Sequence, residues 1–352
     1  MFLKSMLGAL VIYGTIATAQ ADSEYLVLHP AAVKNSLRMT LEVPKKMTLS
    51  QDQVTLLQNQ GFLVEKNQAF FLLDGPAPDL GVKETIVWPL SLIQADKAHK
   101  LPNGQGQGVR ICLIDSGVDQ NRQGLRGVIR EGRNFLAVGD PSDFSDSLSF
   151  EHGSMVAELV SGQPFGRFSG VAPQASLIVA KVIDENGAGS MSSVIDALGY
   201  CMNRADIISM GFGGELKSEI MSTLFKSIKD RGVSLFAAAG NTGASLVFPA
   251  NDPSVIAVGA VDRDSKVPAY ASRDVRLGFV APGHNIPVPD KYGRLAQVSG
   301  SSFAVSFATG VEAIRRSRGT ASLEFRDLGL PREEQGAGLI DALMTAVSFK
   351  VD

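Results

Sequence analysis

Residues 109–118 read VRICLIDSGV, and the fold turns on how they are read. Val109–Ile114 is an apolar run of strand length that ends abruptly in Asp115, Ser116 and Gly117. A strand without polar alternation is buried on both faces, as in a parallel sheet covered by helices. Leu177–Ile183, Ile207–Met210, Val233–Ala239 and Val255–Ala260 repeat the pattern. Helical spacing lies between them at Gly153–Ser161, Met191–Asn203, Leu216–Asp230 and Ser302–Arg315. Strand alternating with helix predicts an α/β domain, a mostly parallel sheet between two helical layers. Such a sheet presents its chemistry beyond the carboxyl ends of its strands. Asp115 stands there, either as a functional group or as the cap of the next turn.

The remaining chain divides in two. The first 21 residues carry one Lys, an apolar run from Met6 to about Ala17, and Ala19-Gln20-Ala21. That order of basic, apolar and small-x-small segments predicts a signal peptide cut after Ala21 and hence export, to a periplasm or out of the cell. Residues 22–84 read as a small α+β unit. Tyr25–Leu28, Ser36–Val43 and Ala69–Leu73 suit strands, Thr48–Gln60 suits a helix, and Asp74-Gly-Pro-Ala-Pro breaks the pattern. The large domain then occupies residues 85–352.

Composition excludes several classes. The 352 residues are 45% hydrophobic and 20% charged with a net charge of −3, which offers no basic field for nucleic acid. No later stretch is long and apolar enough to span a membrane. The four His and two Cys lack metal-ligand spacing. Cys112 and Cys201 are expected to be two buried small side chains; a disulfide between them is the alternative.

Four positions carry chemistry. Asp115 ends the first strand, and His152 opens an apolar helix. A helix N-terminus disfavours an imidazolium, so a base there needs a carboxylate partner. Asn241 follows the buried strand at Phe236–Ala239, where its amide suits a developing oxyanion. Ser302, in VSGSSFAVSFATG (298–310), lies at the N-terminal edge of a small-residue helix. Isolated serines there are usually caps. Together with the other three, Ser302 completes a set for acyl transfer, with Ser302 as nucleophile, His152 as base and Asp115 as its orienter.

These segments resemble the subtilisin-like serine proteases over roughly residues 88–345. IDSGVD (114–119), EHGSMVAELVSG (151–162), GVAPQASLIVAKVIDENGAGS (170–190), DIISMGFGG (206–214), AAAGNTG (237–243), FPANDPSVIAVGAVD (248–262), FVAPG (279–283), SGSSFAVSFATG (299–310) and GAGLIDA (336–342) occur in the family's order. The resemblance implies a subtilisin-like three-layer fold and an exported endopeptidase acting on extended polypeptides. It makes Asp115, His152 and Ser302 the triad and puts Asn241 in the oxyanion hole. Gly187, Ala188, Gly189 and Ser190 would form one substrate-binding edge, and Met210, Gly211, Phe212 and Gly213 the other. Ala238, Ala239 and Gly240 would line the pocket for the side chain before the scissile bond. Val247 stands where the family usually has glycine, which predicts a shortened pocket preferring small or medium apolar side chains. Residues 22–84 would be a propeptide that inhibits the enzyme until cut somewhere in 74–87; a permanently attached domain is the alternative.

The sequence also departs from the family. Met155 replaces the second His of the histidine motif, and Glu158 replaces a glycine, on a helix face expected to be solvated. Ser301 replaces a threonine and keeps the hydroxyl. The loop Gln163-Pro-Phe-Gly-Arg-Phe lacks the Asn and Asp that hold calcium in the family, so no calcium, other metal or cofactor is expected, and no partner is needed beyond a monomer. Two rival functions remain. A catalytically silent peptide-binder has no need of all four chemical groups. An esterase would want Gly-x-Ser-x-Gly with the His last in order, whereas position 304 is Ala and the His precedes the Ser.

Overall fold

The computed structural model describes residues 23–28, 44–73, 87–164, 168–215 and 217–349. The proposed signal peptide, the expected strand at Ser36–Val43 and nearly all of the expected cutting range lie outside these residues.

The N-terminal unit holds β1 (Ser23–Leu28), β2 (Lys45–Leu49), α1 (Gln51–Asn59), β3 (Leu63–Lys66) and β4 (Ala69–Leu72). β1 is the centre of an antiparallel sheet ordered β2-β1-β3. Ser50 starts α1 with a capping box: its hydroxyl accepts from Gln53 N, and Gln53 Oε1 accepts from Ser50 N. Strand alternation then divides β1 between two cores. Tyr25 and Val27 pack with Val54, Leu57 and Val64 of their own unit, while Leu26 and Leu28 join the core of the large domain.

That domain continues with β5 (Arg110–Asp115), β6 (Ile129–Asn134), α2 (His152–Ser161), β7 (Ser176–Lys181), β8 (Ala188–Ser190), α3 (Met191–Cys201), β9 (Ile207–Met210), β10 (Phe212–Gly213), α4 (Glu219–Asp230), β11 (Ser234–Ala238), β12 (Ile256–Val261), β13 (Phe279–Pro282), β14 (Ile286–Pro289), β15 (Leu295–Val298), α5 (Ser301–Arg318), β16 (Glu324–Arg326) and β17 (Leu339–Asp341). Among the described residues nine strands form the central sheet, ordered β16-β17-β13-β12-β11-β9-β5-β7-β6. All pairs are parallel except β16 with β17. The five strands expected from apolar runs are β5, β7, β9, β11 and β12, each within a residue or two. β6 and the β14–β15 hairpin were not expected, since their alternately exposed or Pro-containing sequences carry no sustained apolar run.

The two faces of β5 show how the layers form. Cys112 points toward α3 and is disulfide-bonded to Cys201. The expectation of two unpaired cysteines is therefore corrected: α3 packs on the one strand face that also carries Cys112, bringing the Cα atoms to 5.9 Å. Cross-linking residues 89 apart restricts the unfolded chain, worth about 4–5 kcal/mol in the loop-entropy account. Asp115, three residues on, faces the opposite layer and meets α2.

α5 is nearly enclosed, with every residue from Ser301 to Ile314 buried. Its Ala, Ser, Gly and Thr positions permit that close approach: a Cβ on Gly310 would lie 2.4 Å from Val171 Cβ. The helix ends where Arg315, Arg316 and Arg318 face its negative pole and Gly319 adopts a left-handed conformation. No helix among the described residues is long and apolar enough to cross a membrane.

Candidate active site

The carboxyl end of β5, the first turn of α2 and the first turn of α5 meet at one point. Asp115, His152 and Ser302 are 2%, 0% and 1% exposed. His152 Nδ1 lies 2.8 Å from Asp115 Oδ1, and His152 Nε2 lies 2.9 Å from Ser302 Oγ. A carboxylate only accepts, so Nδ1–H donates to Asp115 and Nε2 is left to accept from the Ser302 hydroxyl. In this line the imidazole can take a proton from Ser302 while Asp115 faces the charge that results. Gly211 forms the floor. A Cβ there would stand 2.9 Å from Asp115 Oδ2, 3.1 Å from Ser302 Cβ and 3.2 Å from His152 Cε1, so a larger residue would push the three side chains apart.

Asn241 follows β11 and is oriented by Ser301. Ser301 N donates to Asn241 Oδ1 at 3.0 Å, and the Ser301 hydroxyl accepts from Gly240 N at 3.1 Å. With its oxygen tied, the Asn241 amide nitrogen points into the cleft, where it donates to the carbonyl of Leu73 at 3.0 Å. The hydroxyl kept at position 301 thus has a positioning task.

The two expected binding edges bracket a strand of the chain itself. β4 forms a three-stranded antiparallel sheet between β10 and β8. Ala69, Phe70 and Phe71 pair with Ser190, Gly189 and Ala188; Leu72 and Phe71 pair with Phe212 and Gly213. Leu72 N also donates to the Gly187 carbonyl at 3.0 Å. Met210 is not on this edge: it ends β9 inside the central sheet. Ala238 and Ala239 are likewise fully buried, and Ala239 bonds to Val258. Val247 sits between two lining glycines, since a Cβ on Gly213 would lie 2.5 Å from its Cγ2 and one on Gly240 3.2 Å from its Cγ1. Its methyl groups therefore occupy space that a glycine would leave open.

Some residues at the site escaped sequence reasoning. Phe70 is buried between Phe212 and Phe248, with ring centroids 5.5 and 6.1 Å away. The N-terminal unit also caps two helices of the domain. Glu65 Oε1 accepts from Glu219 N and Ile220 N at the start of α4, and Asn67 Oδ1 accepts from Ser192 N at the start of α3. Contacts between distant segments leave no periodic signal to find.

Glu158 is a correction. It is 3% exposed on a helix whose every residue is buried, not on a solvated face. Arg122, also buried, reaches Glu158 Oε2 at 3.3 Å, Glu151 Oε2 at 2.6 Å and the Pro289 carbonyl at 3.0 Å. Burial pushes the Glu158 carboxyl up to about 7, against the pull of Arg122. Among the described residues no group of three or more His, Cys, Asp or Glu is placed to hold a metal ion.

The Subtilase family model matches residues 106–328. A thermophilic serine proteinase of Bacillus sp. (strain AK1) is 30% identical over 224 residues, covering 62% of this chain and 55% of that protein. Subtilisin E of Bacillus subtilis (strain 168) is 31% identical over 243 residues, 67% of this chain and 62% of its own. The minor extracellular protease Epr of the same organism is 27% identical over 332 residues, 93% of this chain and 49% of its own. The matches thus span about half to three fifths of these relatives' lengths. The family's motifs, its parallel sheet and a site assembled at the carboxyl ends of the strands meet in one molecule: the chain belongs to the subtilase family.

Proposed function

We propose that the chain is an exported serine endopeptidase that first cuts its own N-terminal segment and then other extended polypeptides. Ser302 Oγ attacks the carbonyl while His152 Nε2 takes its proton. Asp115 holds and balances the imidazolium. Asn241 Nδ2 and the backbone N–H of Ser302 receive the oxyanion. The peptide C–N bond then breaks, His152 gives its proton to the leaving amine, and water hydrolyses the acyl-enzyme on Ser302.

One observation carries the reading. The Asn241 amide that would stabilise an oxyanion already donates to a peptide carbonyl, that of Leu73, at the end of a strand held on both sides. That supports Leu73–Asp74 as the first bond cut, which would put the end of the inhibitory segment at residue 73 rather than 84. Leu73 before the bond agrees with a pocket shortened by Val247. The Cys112–Cys201 disulfide is in keeping with an oxidising, secreted or periplasmic setting. The enzyme would act as a monomer, with no cofactor, metal, nucleic acid or membrane anchor.

Wild type and Ser302→Ala, both as the full chain, are treated with a fluorophosphonate and measured by intact mass. Labelling at Ser302 on a chain beginning at Asp74, with Ser302→Ala unlabelled and uncut, is expected. A folded, unlabelled chain already free of residues 22–73 would overturn the proposal. It would favour a silent peptide-binder, the second reading that a strand seated in the cleft also suits.

A further inference from the structure

Asp146 lies outside the set Asp115, His152, Ser302 and Asn241, yet it binds the elements that carry two of them. Its Oδ1 accepts from the Ser116 hydroxyl at 2.9 Å and from Leu148 N at 3.3 Å. Its Oδ2 accepts from Ser154 N and from the Ser154 hydroxyl, both at 2.9 Å. Ser116 is the neighbour of Asp115 and donates its N–H to Asp115 Oδ1 at 2.7 Å. The Ser116 hydroxyl in turn accepts from Gly153 N at 3.0 Å, and the Ser154 hydroxyl from Asp119 N at 2.9 Å.

The need for such ties follows from how α2 begins. Its cap residue, Glu151, is left-handed at φ 53° and makes no side-chain cap bond. The first N–H groups of α2 would otherwise be orphans. Ser116 satisfies Gly153 and Asp146 satisfies Ser154, so the helix that aims His152 is capped from the strand end and loop beside Asp115. Asp146 joins both caps.

We propose that Asp146 is a positioning residue: it locks the end of β5 to the start of α2, fixing the Asp115–His152 bond, and its negative charge acts through Ser116 and Asp115 on the imidazolium that forms in the reaction. This rests on the endopeptidase reading above. The charged groups that meet this network are Asp115, whose like charge bears on Asp146, and Asp119, through its N–H; His152 is reached one bond further on, through Asp115. Lys181 spends its ammonium on the Ser145 carbonyl at 2.6 Å. Burial, chiefly, and the Asp115 charge hold the Asp146 carboxyl above the usual carboxylate range.

The test has two readouts on the full chain. In Ser302→Ala protein, the His152 ring titration is followed by NMR with and without Asp146→Asn. Loss of the charge is expected to lower the His152 midpoint by about half a unit or more. In otherwise wild-type protein, Asp146→Asn should lower kcat on a chromogenic peptide about tenfold with KM nearly constant, and move the acid limb of kcat/KM downward by the same interval. Asp146→Glu should restore part of both. Ser154→Ala keeps the charge while removing one tie. It should lower kcat without moving the acid limb, which guards against an Asp146→Asn chain that folds poorly. An unchanged His152 midpoint together with unchanged kcat overturns the proposal. A wild type with no activity sinks the endopeptidase reading instead, and the titration still decides on Asp146.

Discussion

At the level of single residues, function depends on side chains whose neighbours are far away in the chain. Val247 shows this most simply. In the chain it is one apolar residue before Phe248; in the fold its two methyl groups press toward Gly213 and Gly240. On the proposed function, removing them would open the pocket for the side chain before the scissile bond. Val247→Gly should shift cleavage toward large aromatic side chains, raising the ratio of kcat/KM for Phe over Leu by about tenfold or more. A peptide-library profile that stays the same would remove Val247 from that pocket. Ser301 makes the complementary point, because its N–H holds the Asn241 side-chain oxygen while its hydroxyl holds the N–H of the neighbouring Gly240. Asp115, His152, Asn241 and Ser302 were singled out from residue type and order, and the fold brings them together. The residues that aim them were not, since a positioning bond needs only a polar atom at the right distance.

At the level of elements, α2 is the most constrained. It packs on α5 and β5, and an apolar side chain would be expected on every face. Glu158 is there nonetheless, facing Arg122, with Glu151 and Asp119 adding like charge. The folded chain therefore binds a proton more tightly than the unfolded chain does, about 7 against 4.5. The stability this group contributes is present below pH 4.5 and is lost as the pH rises through about 7, on the order of 3 kcal/mol. Melting of Ser302→Ala protein between pH 4.5 and 8 should show that decline, and Glu158→Gln should flatten it. Equal slopes in the two chains would assign the pH dependence to another group. The sequence located α2 to within a residue, yet a solvated face was expected at Glu158 where the helix is buried. Helical periodicity reports one apolar face, whereas a helix enclosed between a sheet and another helix has none to spare for water.

For the molecule as a whole, the decisive arrangement is the N-terminal unit seated on the domain that follows it. Glu65 and Asn67 cap α4 and α3, Leu26 and Leu28 share the larger core, and β4 lies in the cleft with Phe70 as its anchor. Truncating that ring removes a buried aromatic worth about 3 kcal/mol or more. In Ser302→Ala protein, which cannot cut itself, Phe70→Ala should raise hydrogen exchange at residues 69–72 by up to about a hundredfold. Unchanged protection there would show that backbone pairing alone holds the strand. The sequence by itself determined the fold class and the parallel strands, and pointed to four side chains that the fold brings together, because apolar runs, turn residues and motif order are local properties of the chain. Only the tertiary structure decided that Cys112 meets Cys201, that Glu158 is buried beside Arg122, and that the Leu73 carbonyl rests on Asn241. Each depends on segments brought together by packing, and distance in space is a quantity that one-dimensional order does not contain.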